Sequence, residues 1–107
     1  MFTQRAIIGE LKNYVRDVKD LGLHLNKAIL FGSYSRNEQH KWSDVDIALI
    51  ADEFSGDGFS DVGLFSRVNI KYADLNIQPR TYNTKDFTSK KDPFVEEILR
   101  TGIEIKA

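Results

Sequence analysis

The chain has no cysteine, which excludes disulfides and thiolate metal ligands and makes a cytoplasmic setting the expectation. It has two prolines, Pro79 and Pro93, so everything before them is open to regular structure. No apolar run approaches the ~20 residues a membrane span needs. The opening MFTQRAIIGELK lacks the charged-then-apolar layout of a signal peptide. A basic excess is also missing: 15 Lys and Arg against 16 Asp and Glu leave a net charge of −1, where a dedicated nucleic-acid binder carries a basic surplus. There is no repeat, low-complexity tract or linker. What remains is an ordinary globular composition, 41% hydrophobic and 29% charged over 107 residues. That size suits a single domain with one core, spanning residues 1–107.

Chemistry concentrates between Ile29 and Ile50, ILFGSYSRNEQHKWSDVDIALI. A short apolar run ends at Gly32, which permits a sharp turn and close backbone approach to a ligand. Ser33 to Glu38 can form a short helix or turn whose first N–H groups, with the Ser33 hydroxyl, suit a phosphate. Arg36 lies on the same turn, and Lys41 is a second, weaker cation. Ten residues separate Ser33 from Asp44-Val45-Asp46. On a strand, alternation puts both carboxylates on one face, about 7 Å apart. Such a pair repels itself unless a cation lies between, and an all-oxygen set suits magnesium. A lone Gly-Ser is a plain turn and a lone Asp-x-Asp means little. Together at this spacing they occur by chance in roughly one chain in a thousand. Val45, Ile47 and Leu49 point to the core, with Ala48 and Ile50 covered on the other face. Ser43 is placed to bond a backbone N–H at the start of this strand, and Trp42 is expected to pack over the site.

Elsewhere, residues 3–22 read as an amphipathic helix with Ile7, Leu11, Tyr14, Val15, Val18 and Leu21 on one face, Thr3 as N-cap and Gly22 as stop. His24 reads as an exposed loop residue. Residues 60–68 suggest a helix over the sheet. Residues 73–82 suggest a third strand, with Asp74, Asn76 and Gln78 on one face and Pro79 marking an edge. That polar face is either solvated or supplies a third carboxylate, Asp74. Asp92-Pro93 opens a last helix with an apolar face of Phe94, Ile98 and Leu99. Gly102 ends it, and Ile103 and Ile105 alternate as a short strand or tail.

FGSYSRNEQHKWSDVDIALI resembles the signature of the DNA polymerase beta-like nucleotidyltransferase superfamily, and length and layout resemble its minimal nucleotidyltransferase domains. The closing DPFVEEILRTGIEI is similar to the ending of these small proteins. The resemblance implies an α/β (α+β) fold, a small mixed sheet with helices packed on it. It also implies Mg2+-dependent transfer of a nucleoside monophosphate from a triphosphate, ATP as the best guess. Gly32, Ser33 and Arg36 match the triphosphate-holding turn, and Asp44 and Asp46 the metal pair. Asp74 is the only carboxylate in the expected third strand, whereas counting back from Asp86-Phe87 puts Gln78 at the acidic position. The two lie about 13 Å apart along a strand and cannot share a place. Minimal members often accompany a helical HEPN-type partner protein as antitoxin and toxin. Adenylylation of that partner, or simple binding to it by a degenerate site, are the two implied readings. A homo-oligomer stays open; a membrane, or nucleic acid other than as acceptor, is not expected. An aminoglycoside-modifying enzyme would need a second domain, and a polymerase a basic template channel.

Overall fold

A computed structural model describes residues 2–107. Helix α1 (Gln4–Lys19) starts where expected: the Thr3 side chain accepts from Ala6 N at 3.0 Å, satisfying one of the orphan amides of the first turn. Its stripe Ile7, Leu11, Tyr14, Val15 and Val18 is buried. Leu21 departs from expectation. The helix stops at Lys19, two residues earlier, so Leu21 falls in the turn before Gly22 and is exposed.

Four strands form one mixed sheet in the order β3-β2-β1-β4. Strands β1 (Leu25–Phe31) and β2 (Val45–Ala51) are antiparallel, with Phe31 opposite Asp46. Strand β3 (Ile77–Asn83) runs parallel to β2, and β4 (Ile103–Glu104) pairs antiparallel with β1. From Ile47 onward central β2 is covered on both faces, as the apolar run after Asp46 predicts. Val45, Ile47 and Leu49 join α1 in the main core. Ala48 and Ile50 join Ile29, Tyr82, Val95 and Ile98 in a second one.

The third strand begins later than expected. Residues Ala73–Leu75 form a 3-10 turn, and Asn76 at φ 56° reverses the chain into β3. Pro79 lies on the sheet edge, as expected. The Asn76 carbonyl accepts from Val45 N at 3.0 Å. Peptide alternation therefore aims the N–H direction of residue 79 away from β2, where proline has none to lose.

The expected helix over 60–68 is two short ones, α2 (Gly58–Asp61) and α3 (Ser66–Lys71), joined by a 3-10 turn at Val62–Leu64. The break has a local cause. Asp61 turns inward to hydrogen-bond Ser55, Gly56 and Thr81, and Phe65 leaves helical geometry (φ −137°) to enter the core. Helix α3 is tied to α1 by Tyr14–Asn69 (2.6 Å), Lys71–Asp17 (2.8 Å) and Tyr72–Asp17 (2.7 Å).

Helix α4 (Phe94–Thr101) begins as Asp92-Pro93 foretells, the Asp92 carboxylate accepting from Phe94 N at 3.0 Å. Its buried residues are Val95 and Ile98, while Leu99 is exposed. The helix crosses the sheet so closely that a side chain on Gly102 would strike Ile29 and the Ile98 carbonyl. Among the described residues no helix is long and apolar enough to cross a membrane.

Candidate active site

The C-terminal end of β1 and the N-terminal ends of β2 and β3 meet at one edge of the molecule. Gly32 leaves β1 at φ 77°, and a Cβ there would overlap the Asp46 carboxylate, whose Cγ would lie at 3.2 Å. Only glycine lets turn and carboxylate stand this close. Ser33 to Asn37 continue as turns, not a helix. A helix dipole is therefore absent, and the anion-binding capacity rests on individual N–H groups. Tyr34 anchors the turn in the core. Ser35 Oγ donates to the Gly32 carbonyl (2.9 Å), and the Gln4 amide donates to the Tyr34 carbonyl (2.8 Å). Among the described residues the Ser33 and Tyr34 amides have no backbone acceptor. Asn37, at φ 56°, takes the left-handed backbone that asparagine tolerates. Arg36 is half exposed and paired to Glu38 at 2.7 Å, a surface pair weak enough to exchange for a phosphate.

Asp46 is half-buried and Asp44 exposed. Burial, then the neighbouring Asp44 charge, push the Asp46 carboxyl above its ordinary value, with Arg36 pulling the other way. Asp44 Oδ1 accepts from Asn76 Nδ2 at 2.7 Å. Ser43 Oγ accepts from His40 N at 2.8 Å, steadying the start of β2 as anticipated. The crowded carboxylate pair fits one hard divalent cation: it offers oxygen donors, excess negative charge and an Asp46 side chain to which no described group donates.

The structure separates the two candidates for a third carboxylate. Asp74 is exposed on the 3-10 turn, outside β3, bordering a shallow hollow with Tyr34, Lys41, Trp42 and Ser43. Gln78 is the β3 partner of Asp46 in the parallel ladder. Among the described residues no three His, Cys, Asp or Glu side chains come together to share a metal ion. Trp42 does not pack over the site: it is 77% exposed, with Lys41 Nζ 5.1 Å from its ring centre. His24 is exposed as expected, and it pairs with Glu53.

Beside the carboxylates a cleft of about 140 Å³ runs between the Gly32 turn and α4. Its lining combines apolar Phe31, Phe94 and Ile98 with polar Arg36, Asp46, Glu97 and Thr101. Glu97 and Thr101 escaped the sequence reading because their spacing marks only the solvent side of an amphipathic helix. Asn76 escaped it because nothing local marks its amide as a partner of Asp44. A larger groove, about 480 Å³, follows the free edge of β3 past Arg80, Tyr82 and Asp92, and neither Asp44 nor Asp46 lines it.

The glycine turn, whose Ser33 and Tyr34 amides lack a backbone acceptor among the described residues, thus stands directly against the Asp46 carboxylate. Residues 11–105 match the model of the nucleotidyltransferase domain. The chain is also similar to a protein of Methanocaldococcus jannaschii named "putative protein adenylyltransferase". The two are 31% identical over 102 residues, which is 92% of this chain and 98% of the relative. The match covers both the Gly32 turn and the Asp44–Asp46 pair, and the protein belongs to the nucleotidyltransferase domain family, whose general chemistry is nucleotidyl transfer.

Proposed function

We propose that the protein transfers AMP from ATP to a hydroxyl on a partner protein, acting as the antitoxin beside a helical HEPN-type toxin. The observation that carries the transfer chemistry is the contact between the Gly32 turn and Asp46, so close that a single methyl group would block it. The Ser33 and Tyr34 amides, the Ser33 hydroxyl and Arg36 hold the β- and γ-phosphates and stabilise the departing pyrophosphate. Asp44 and Asp46 would hold magnesium, which would supply charge neutralisation at the α-phosphate. The acceptor hydroxyl oxygen attacks the α-phosphorus and gives up its proton to solvent, the bond from the α-phosphorus to the oxygen bridging to the β-phosphate breaks, and pyrophosphate leaves. The cleft that Asp46 borders is also lined by the apolar side chains of Phe31, Phe94 and Ile98. The protein-directed activity in the relative's name supports a protein acceptor.

A second reading has an observation of its own. Gln78, the ladder partner of Asp46, cannot take a proton. On that reading the site binds nucleotide and the protein neutralises its partner by binding alone. Label at the α-phosphate of ATP, followed into the partner with wild type and with Asp44→Asn/Asp46→Asn, separates the two. Transfer of α-label but not γ-label, by wild type only, is the expected result. An unlabelled partner that is still neutralised equally by both proteins would sink the transfer reading.

A further inference from the structure

Two amides form an arm beside the carboxylate pair. Gln78 Nε2 donates to Asn76 Oδ1 at 3.3 Å, and Asn76 Nδ2 donates to Asp44 Oδ1 at 2.7 Å. Asn76 does this from a left-handed backbone (φ 56°), while its own carbonyl opens the β2–β3 ladder to Val45 N. One residue thus registers β3 against β2 and grips Asp44. Its donation takes one acceptor site of Oδ1, and no described group donates to Oδ2. One ladder step on, Gln78 stands opposite Asp46, strand to strand about 5 Å away.

The charge count follows from those placements. Two divalent cations side by side repel strongly and are held by anionic oxygens reaching them from more than one side. Here the β1–β2 side gives Asp44 and Asp46, and the β3 side gives only neutral amides. Magnesium dehydrates reluctantly, and an amide oxygen repays that poorly. Asp74 does not make up the deficit: it lies on the 3-10 turn outside β3, and among the described residues it does not join Asp44 and Asp46 in a three-carboxylate cluster. Glu97 borders the same cleft as Asp46, but the three carboxylates do not converge on one point.

We infer that Asn76 and Gln78 make this a one-cation site. Asn76 is a positioning residue that aims Asp44 at the cation travelling with the triphosphate, and Gln78 leaves the neighbouring cation position without a carboxylate. The inference rests on the triphosphate-binding reading above.

The test counts ions. Mn2+ and α,β-methylene ATP retained per chain are measured by equilibrium dialysis, with electron paramagnetic resonance reporting whether two Mn2+ lie close enough to couple. Wild type is expected to retain one Mn2+ per nucleotide with no coupling signal. Gln78→Glu, a change at an exposed side chain, is expected to retain two and show coupling. Asn76→Gly keeps the left-handed backbone accessible while deleting the amide. It is expected to weaken Mn2+–nucleotide binding about tenfold or more at an unchanged melting temperature. Two coupled ions in wild type, or one in Gln78→Glu, overturn the one-cation assignment. Unchanged affinity in Asn76→Gly overturns the positioning role. Failure of wild type to retain any Mn2+–nucleotide is a different result: it removes the triphosphate-binding reading itself, and this inference with it.

Discussion

Asp46 and Asp61 are both carboxylates held against the same sheet, on opposite faces, and they are treated in opposite ways. Asp61 is buried and fully engaged. It accepts from Ser55 N (2.8 Å), Ser55 Oγ (3.1 Å), Gly56 N (2.9 Å) and Thr81 Oγ1 (2.7 Å). Burial raises its pKa, but the bonds from Ser55, Thr81 and Gly56 outweigh that and leave it below the ordinary value. Asp46 is less buried, receives no such donors among the described residues, and is shifted upward by burial and the Asp44 charge. A carboxylate whose charge the fold has already satisfied ties structure together; one left in want of positive charge is available to a ligand. The same residue type therefore reads as structural on the α2 side and functional at the Gly32 turn.

The largest expected effect is on the structural side. Asp61→Ala strands the Ser55 and Gly56 amides and the Thr81 hydroxyl in the interior. A loss of ~2–4 kcal/mol in denaturant unfolding is expected, with nucleotide affinity of the folded protein essentially unchanged. Asp44→Asn/Asp46→Asn should do the reverse. Mn2+–triphosphate binding should fall by about 100-fold or more, with no drop in melting temperature, because like charges are removed. Gly32→Ala joins the two behaviours, since it forces φ 77° on alanine and pushes into Asp46. About 1–3 kcal/mol of stability should go, along with binding, as calorimetry can show.

A smaller effect concerns pH. The Asp61 carboxyl is lowered in the folded state. Its stabilisation is complete above the unfolded carboxylate value and is lost as pH falls through the folded one. The acid limb of a stability–pH curve should therefore be shallower in Asp61→Asn than in wild type. A wild-type slope in the variant would show that Asp61 carries none of that limb. The smallest effect is expected from Asp74→Asn. Nucleotide binding should stay within about twofold, as for other exposed changes away from a site. A large loss would return Asp74 to the metal set and undo the separation of Asp74 from Asp46.

Much of the fold was legible along the chain. The α1 stripe from Ile7 to Val18 repeats at helical spacing, β2 is apolar from Ile47 to Ala51, and Asp92-Pro93 marks the start of α4. Each is a local pattern with a local cause. Leu21, Leu99 and Trp42 were misread because periodicity cannot say where a helix stops, which flank meets the sheet, or whether a neighbour exists to cover an indole. The helix over 60–68 was misread because Asp61 gives its side chain to residues outside its own segment.

The sequence by itself determined where the glycine turn and the carboxylate pair fall, because Gly32-Ser33 and Asp44-Val45-Asp46 border the apolar runs that become β1 and β2. Only the tertiary structure decided what stands beside them. Whether Asp74 or Gln78 meets Asp46 depends on the register of β3 against β2. That register is set by the reversal at Asn76 and its carbonyl bond to Val45, a long-range hydrogen bond that no local spacing encodes.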